Sequence, residues 1–158
     1  MDATSVLGSP THSVSVAGIV IDSRSRVLVI RRRDNQRWEM PGGVLELDES
    51  IQDGVRREVA EETGMTVEIE RLTGVYKNLS RGIVALVFRC RPGPEHVHPT
   101  PEASDIRWMT REEVRTAMDP AYAIRVLDAF EAEPSVRTHD GFHLVPGEPA
   151  EVIPRSQQ

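Results

Sequence analysis

The chain has 158 residues, 39% hydrophobic and 28% charged, the balance of a single globular domain with a substantial core. Its formal net charge is −6, and its 19 basic residues are scattered with Lys77 the only lysine, so no nucleic-acid-binding surface is expected. No apolar run approaches the roughly 20 residues that span a bilayer and no secretory signal opens the chain, so no membrane role is expected. A single cysteine, Cys90, excludes an internal disulfide framework and predicts a cytoplasmic protein, with Cys90 a small hydrophobe on a buried strand.

Residues 1–12 are small and polar and read as a flexible N-terminal arm. Ser13–Asp22 and Arg26–Arg33 are β-branched runs about a short polar turn, which predicts a strand pair. Pro41-Gly42-Gly43 reads as a loop, because consecutive glycines permit backbone shapes closed to other residues. A helix is expected from Ser50, where Ser50-Ile51-Gln52-Asp53 fits a capping box, to a stop at Gly64. Strands follow at Thr66–Asn78 and Gly82–Arg91, then a proline-rich loop from Pro92 to Pro101 and a short strand at Asp105–Met109. Thr110 opens a second helix, and a third spans Ala121–Ala132. Asp140-Gly141 between two short strand-like runs predicts a two-residue hairpin turn, and residues 147–158 read as a disordered tail. Residues 13–146 are thus expected to form one α/β domain, with helices on both faces of a mixed sheet.

Glu58, Glu61 and Glu62 crowd one helix at spacings where like charges repel. At about 100° per residue, Ile51, Val55 and Val59 sweep an arc from 0° to about 80°, with Glu62 near 20°, Glu58 near 340° and Glu61 near 280°. Two carboxylates therefore lie within or beside the apolar stripe and the third adjoins them, where a solvated face would have put them opposite. Partly buried carboxylates are costly unless paired or bound to metal, and one Arg57 cannot neutralise three. Hard oxygen ligands select Mg²⁺, Mn²⁺ or Ca²⁺, and such ions can act on a phosphate compound.

Gly43, Glu49 and the run Arg57-Glu58-Val59-Ala60-Glu61-Glu62-Thr63-Gly64-Met65 together resemble a complete Nudix box. The Trp38-Glu39-Met40-Pro41-Gly42-Gly43 lead-in and Trp108 before a helix start also resemble the Nudix layout, over about residues 13–130. The resemblance implies an α/β/α sandwich with a mixed β-sheet and a Mg²⁺ cofactor, Mn²⁺ substituting. It implies that Glu58, Glu61 and Glu62, with the main-chain carbonyl of Gly42, bind the metal. Arg57 would orient a catalytic carboxylate and Glu49 would brace the loop–helix junction. The implied reaction is attack by metal-activated water on a nucleoside diphosphate linked to another moiety, a pyrophosphohydrolase acting on a small-molecule nucleotide. Nudix proteins often add an acid from a later loop; Glu102 is the candidate, with Glu95 and Asp105 as rivals.

The rival class is a catalytically inactive Nudix-like regulatory domain that binds a nucleotide; broken box positions would be expected there, and none is broken. A Ca²⁺ module of the EF-hand type lacks its alternating acid loop. Nucleoside triphosphate, ADP-ribose and nucleotide sugar all stay open as substrates, and a homodimer is compatible with the family. Among Arg31, Arg32 and Arg33, strand alternation lets one or two reach a substrate phosphate, and Arg33 is favoured. Trp38 is a candidate for base stacking, with packing under the glycine loop the blander role, and Lys77 and Arg81 flank a strand end that would face the site. His96 and His98 read as loop residues, not a zinc site, and His139, Asp140 and His143 as a structural hairpin.

Overall fold

β1 and β2 are apolar on both faces, and a strand buried on both faces needs neighbours along both edges. That requirement organises the computed structural model, which describes residues 8–146; most of the N-terminal arm and the whole of the 147–158 tail lie outside the described residues. The elements in chain order are β1 (Ser13–Val20), β2 (Val27–Arg32), β3 (Trp38–Glu39), β4 (Gly42–Val44), α1 (Ile51–Thr63), β5 (Val67–Asn78), β6 (Ile83–Pro92), β7 (Ala103–Met109), α2 (Arg111–Ala117), α3 (Pro120–Asp128) and β8 (Ser135–His139).

The expected β1–β2 pair does not form. β1 sits between β4 and β6 in a five-stranded mixed sheet of order β4-β1-β6-β5-β8, whereas β2 sits between β3 and β7 in an antiparallel sheet of three. One bridge, Ile21 to Val27, joins the two strands across a turn that the Asp22 carboxylate closes by accepting from the backbone of Arg24 and Arg26. The five-stranded sheet is mixed: β1 runs parallel to β6 and β8 parallel to β5, while β4 is antiparallel to β1 and β5 to β6.

Alternation along β1 feeds two cores. Val16 and Val20 pack with Val55 and Val59 of α1, while Ala17, Ile19 and Ile21 pack with Val114 of α2 and Val126 of α3. Helices therefore cover opposite faces, giving the α/β/α sandwich. Gly18 lets α1 approach: a Cβ there would lie 2.9 Å from Val59 Cγ2. Cys90 is fully buried in the α1-side core, and burial pushes its thiol up to about 12.

The helical ends follow their chemistry. Ser50 caps α1 by accepting from the Asp53 N–H at 3.1 Å, Gly64 ends it with φ of 77°, and α2 carries the reciprocal Thr110–Glu113 capping box. α3 begins on Pro120 and stops at Asp128, four residues before the expected end. The hairpin differs too. Four residues, Asp140 to His143, link His139 to Leu144, because the Asp140 carboxylate accepts from the N–H groups of Phe142 and His143 and so widens the turn.

Candidate active site

Val55 and Val59 are fully buried, which orients α1 and carries Glu58 and Glu62 inward with them, to 7% and 3% exposure. Ile51, assigned above to the same stripe, is 38% exposed instead. The Glu61 side chain is 49% exposed. Glu58, Glu62 and Glu102 each offer a carboxylate oxygen, and these three oxygens lie within 4.8 Å of one another. Glu102 reaches this group from an exposed loop just ahead of β7.

The glycines earn their place by size. The left-handed glycines among the described residues are Gly8, Gly64, Gly82 and Gly141, so Gly42 and Gly43 have ordinary φ and form β4 rather than an irregular loop. A Cβ on Gly42 would stand 2.5 Å from the Val16 carbonyl oxygen, and one on Gly43 would stand 2.6 Å from the Glu58 carboxyl. The Gly42 N–H donates to Glu62 Oε1 at 3.3 Å, which sets the strand backbone directly against the acids.

Arg57 stitches this group to the approach loop. Its Nε and Nη2 donate to the two oxygens of Glu49 at 2.9 and 2.7 Å, its Nη1 to Glu58 at 2.8 Å and Glu61 at 3.2 Å, and Nη2 also to the Val44 carbonyl. Glu49 in turn accepts from the Glu46 N–H, and the Arg57 guanidinium with that N–H holds its carboxyl down at about 2. Arg57 is itself pushed further up, first by Glu49 and then by Glu58. Glu62 has only the Gly42 N–H for relief: burial, then the hydrogen-bonded Glu58 carboxyl, raises it far above the usual carboxylate range. Two buried acids side by side, an all-oxygen donor set and one shared arginine leave a charge deficit that a hard divalent cation fits.

The other candidates fall elsewhere. The Arg33 guanidinium donates twice to the Thr100 carbonyl at 3.2 Å, so it holds the Glu102 loop instead of lying open to a phosphate. Glu95 accepts from the Thr66 hydroxyl and N–H at the start of β5, and Asp105 from the Ile106 N–H and the Arg107 side chain. Neither belongs to the carboxylate group. Trp38 is half-buried against the α2–α3 core with the Arg107 guanidinium 5.1 Å over its ring. Lys77 lies on β5, separated from β4 by β1 and β6, and Arg81 is an exposed turn residue beyond it. His96 and His98 are exposed loop residues, and His98 packs against Gly64. His139 is fully buried at the hairpin base, its Nε2 3.0 Å from Arg125 Nη2.

Sequence reasoning ranked Arg32 behind Arg33. The Arg32 guanidinium binds Asp34, lies 3.5 Å from Glu39 and is held up by Asp34 first, then by Glu39 and Glu62. The register shift beside it, where Arg31 faces Asp105 but Arg32 faces Ala103, adds its extra residue, Ser104, to β7.

The fold and this acid-lined helix define a protein of the NUDIX type. The NUDIX-domain family model matches residues 11–130, so the chain belongs to that family, hydrolases acting on pyrophosphate bonds. It is 57% identical over 138 residues to a MutT-like protein of Streptomyces ambofaciens, covering 87% of this chain and 90% of that protein. It is 34% identical over 83 residues, 48% of each chain, to an ADP-ribose pyrophosphatase of Methanocaldococcus jannaschii. A NUDIX hydrolase structure from Nitrosomonas europaea shares the fold with a TM-score of 0.70 at 21% identity, over 83% of this chain and 81% of that one. No helix among the described residues is long and apolar enough to cross a membrane.

Proposed function

We propose that this chain is a Mg²⁺-dependent pyrophosphohydrolase of a nucleoside diphosphate linked to another moiety: a nucleoside triphosphate, ADP-ribose or a nucleotide sugar. The observation that carries the reading is the group of three carboxylates within 4.8 Å, two of them buried. Glu58, Glu62 and Glu102 would hold the ion, with Glu61 and the Gly42 carbonyl completing the set and Mn²⁺ an effective substitute. When bound, a divalent ion supplies Lewis acidity to phosphoryl oxygens and acidifies water. The chain's own residues do the positioning. Arg57 fixes the Glu58 carboxylate from one side while Gly43 leaves it room on the other. Glu49 locks Arg57 in place. The buried, unreactive Cys90 suits a reducing cytoplasm.

The test is product release from dNTPs, ADP-ribose, nucleotide sugars, dinucleoside polyphosphates and NADH, each with Mg²⁺ and with EDTA. Metal-dependent cleavage of one compound at a pyrophosphate bond is expected and names the substrate class. Tight binding of one compound without cleavage in any would overturn the enzyme reading in favour of a nucleotide-binding regulatory domain.

A further inference from the structure

The loop that delivers Glu102 is fastened along its length, from two sides. Against α1, the His98 N–H donates to the Thr63 carbonyl at 3.2 Å and the Thr100 hydroxyl to the Glu62 carbonyl at 3.1 Å. Both carbonyls belong to the last turn of the helix, where no intrahelical donor remains to satisfy them. The Thr100 oxygen also accepts from the Ala103 N–H at 3.2 Å, and Thr100 is only 7% exposed. Against β2, the Arg33 N–H donates to the Glu102 carbonyl at 3.1 Å, while its guanidinium holds the Thr100 carbonyl. The backbone on which Glu102 stands is thereby clamped, although the residue itself is exposed.

We infer that Thr100 and Arg33 are positioning residues that hold Glu102 beside Glu58 and Glu62 and so set the affinity of the site for its divalent ion. The inference rests on reading Glu102 as an ion ligand. Neither side chain belongs to the carboxylate group, and both act through the loop backbone. Loss of the Thr100 hydroxyl strands the Glu62 carbonyl and the Ala103 N–H together, which removes the loop–helix bond nearer to Glu102 while leaving every acid in the chain.

The test is Mn²⁺ alone titrated into the full chain and followed by electron paramagnetic resonance of the free ion, with no nucleotide present. Thr100→Val should weaken Mn²⁺ binding roughly ten-fold, the usual scale for outer-shell partners, and Glu102→Gln, which alters a ligand itself, at least as much. Thr100→Ser, which keeps the hydroxyl, should bind as the parent does. Arg33→Met is the independent arm should circular dichroism show that Thr100→Val does not fold, and it should weaken binding likewise. If Glu102→Gln weakens binding but Thr100→Val and Arg33→Met do not, the clamp is overturned and the ion site stands. If Thr100→Ser weakens binding as much as Thr100→Val, the hydroxyl role is overturned. If Glu102→Gln binds Mn²⁺ like the parent, Glu102 is no ligand and the inference falls with that reading.

Discussion

Replacing Gly43 with alanine adds one methyl group at the point where β4 meets the acids. The new Cβ would stand 2.6 Å from the Glu58 carboxyl carbon and one oxygen, against the 3.4 Å at which ordinary contact begins, so one partner must yield by about 0.8 Å. Glu58 has little room to yield, since it is 7% exposed and Arg57 grips it at 2.8 Å. The backbone has no objection of its own, because φ at Gly43 is ordinary and alanine restricts the unfolded chain. Gly43→Ala is therefore expected to fold and melt near the parent temperature while shifting one acid of the group by most of an ångström. Misplacement on the 1 Å scale costs about a hundred-fold in rate. Steady-state hydrolysis of the preferred nucleotide at saturating Mg²⁺, beside a thermal melt, measures both. Near-parental kcat in a folded Gly43→Ala protein would refute the reasoning, because it would mean that the site tolerates a displaced Glu58.

In EDTA, Glu62→Gln removes one of two buried, mutually repelling carboxylates and should raise the melting temperature, by roughly 2–4 °C for each kcal/mol of relief. Added Mg²⁺ should then give less further rise than it gives the parent; a lower metal-free Tm would contradict the charge deficit. Glu49 is held at about 2 in the fold against an ordinary 4.5, so its stabilisation is complete above that ordinary value and is lost as pH falls toward about 2. Urea unfolding should accordingly show a shallower acid decline in Glu49→Gln between about pH 5 and 2, and parallel curves would refute the link. Tyr76→Phe deletes a buried hydroxyl that donates to Asp128 at 2.7 Å. It should cost about 1–2 kcal/mol of unfolding free energy in urea with kcat unchanged, and unchanged stability would argue that Arg137 alone satisfies Asp128.

The acidic helix was legible because its determinants are local. Ser50 and Gly64 cap it, valines four apart orient it, and the acids follow from the same wheel. β1 and β2 were legible as strands but not as partners, since the pairing is decided by which edges must be covered, and those edges are supplied by β6 and β7 far along the chain. β3 and β4, of two and three residues, are too short to show a period and read as loop. Gly42 and Gly43 were singled out correctly as special, yet for conformational freedom; the actual demand is the absence of a side chain against Val16 and Glu58. Arg33 was legible as a strand-end arginine, but its bond to the Thr100 carbonyl, 67 residues along the chain, has no local signature in the sequence.

The bond from Thr100 to the Glu62 carbonyl spans 38 residues, and that from Arg33 to Thr100 spans 67. Such distant contacts form late, after the entropy of closing long loops has been overcome. The helix bearing Glu58 and Glu62 can coil on local contacts, but its third acid arrives only once β5, β6 and the loop after them have been made and docked. During synthesis, then, a chain that has emerged only as far as α1 carries the acids without the enclosure that gathers them. With Glu102 as a ligand, capture of an ion would require the finished fold and would distinguish completed chains from nascent ones.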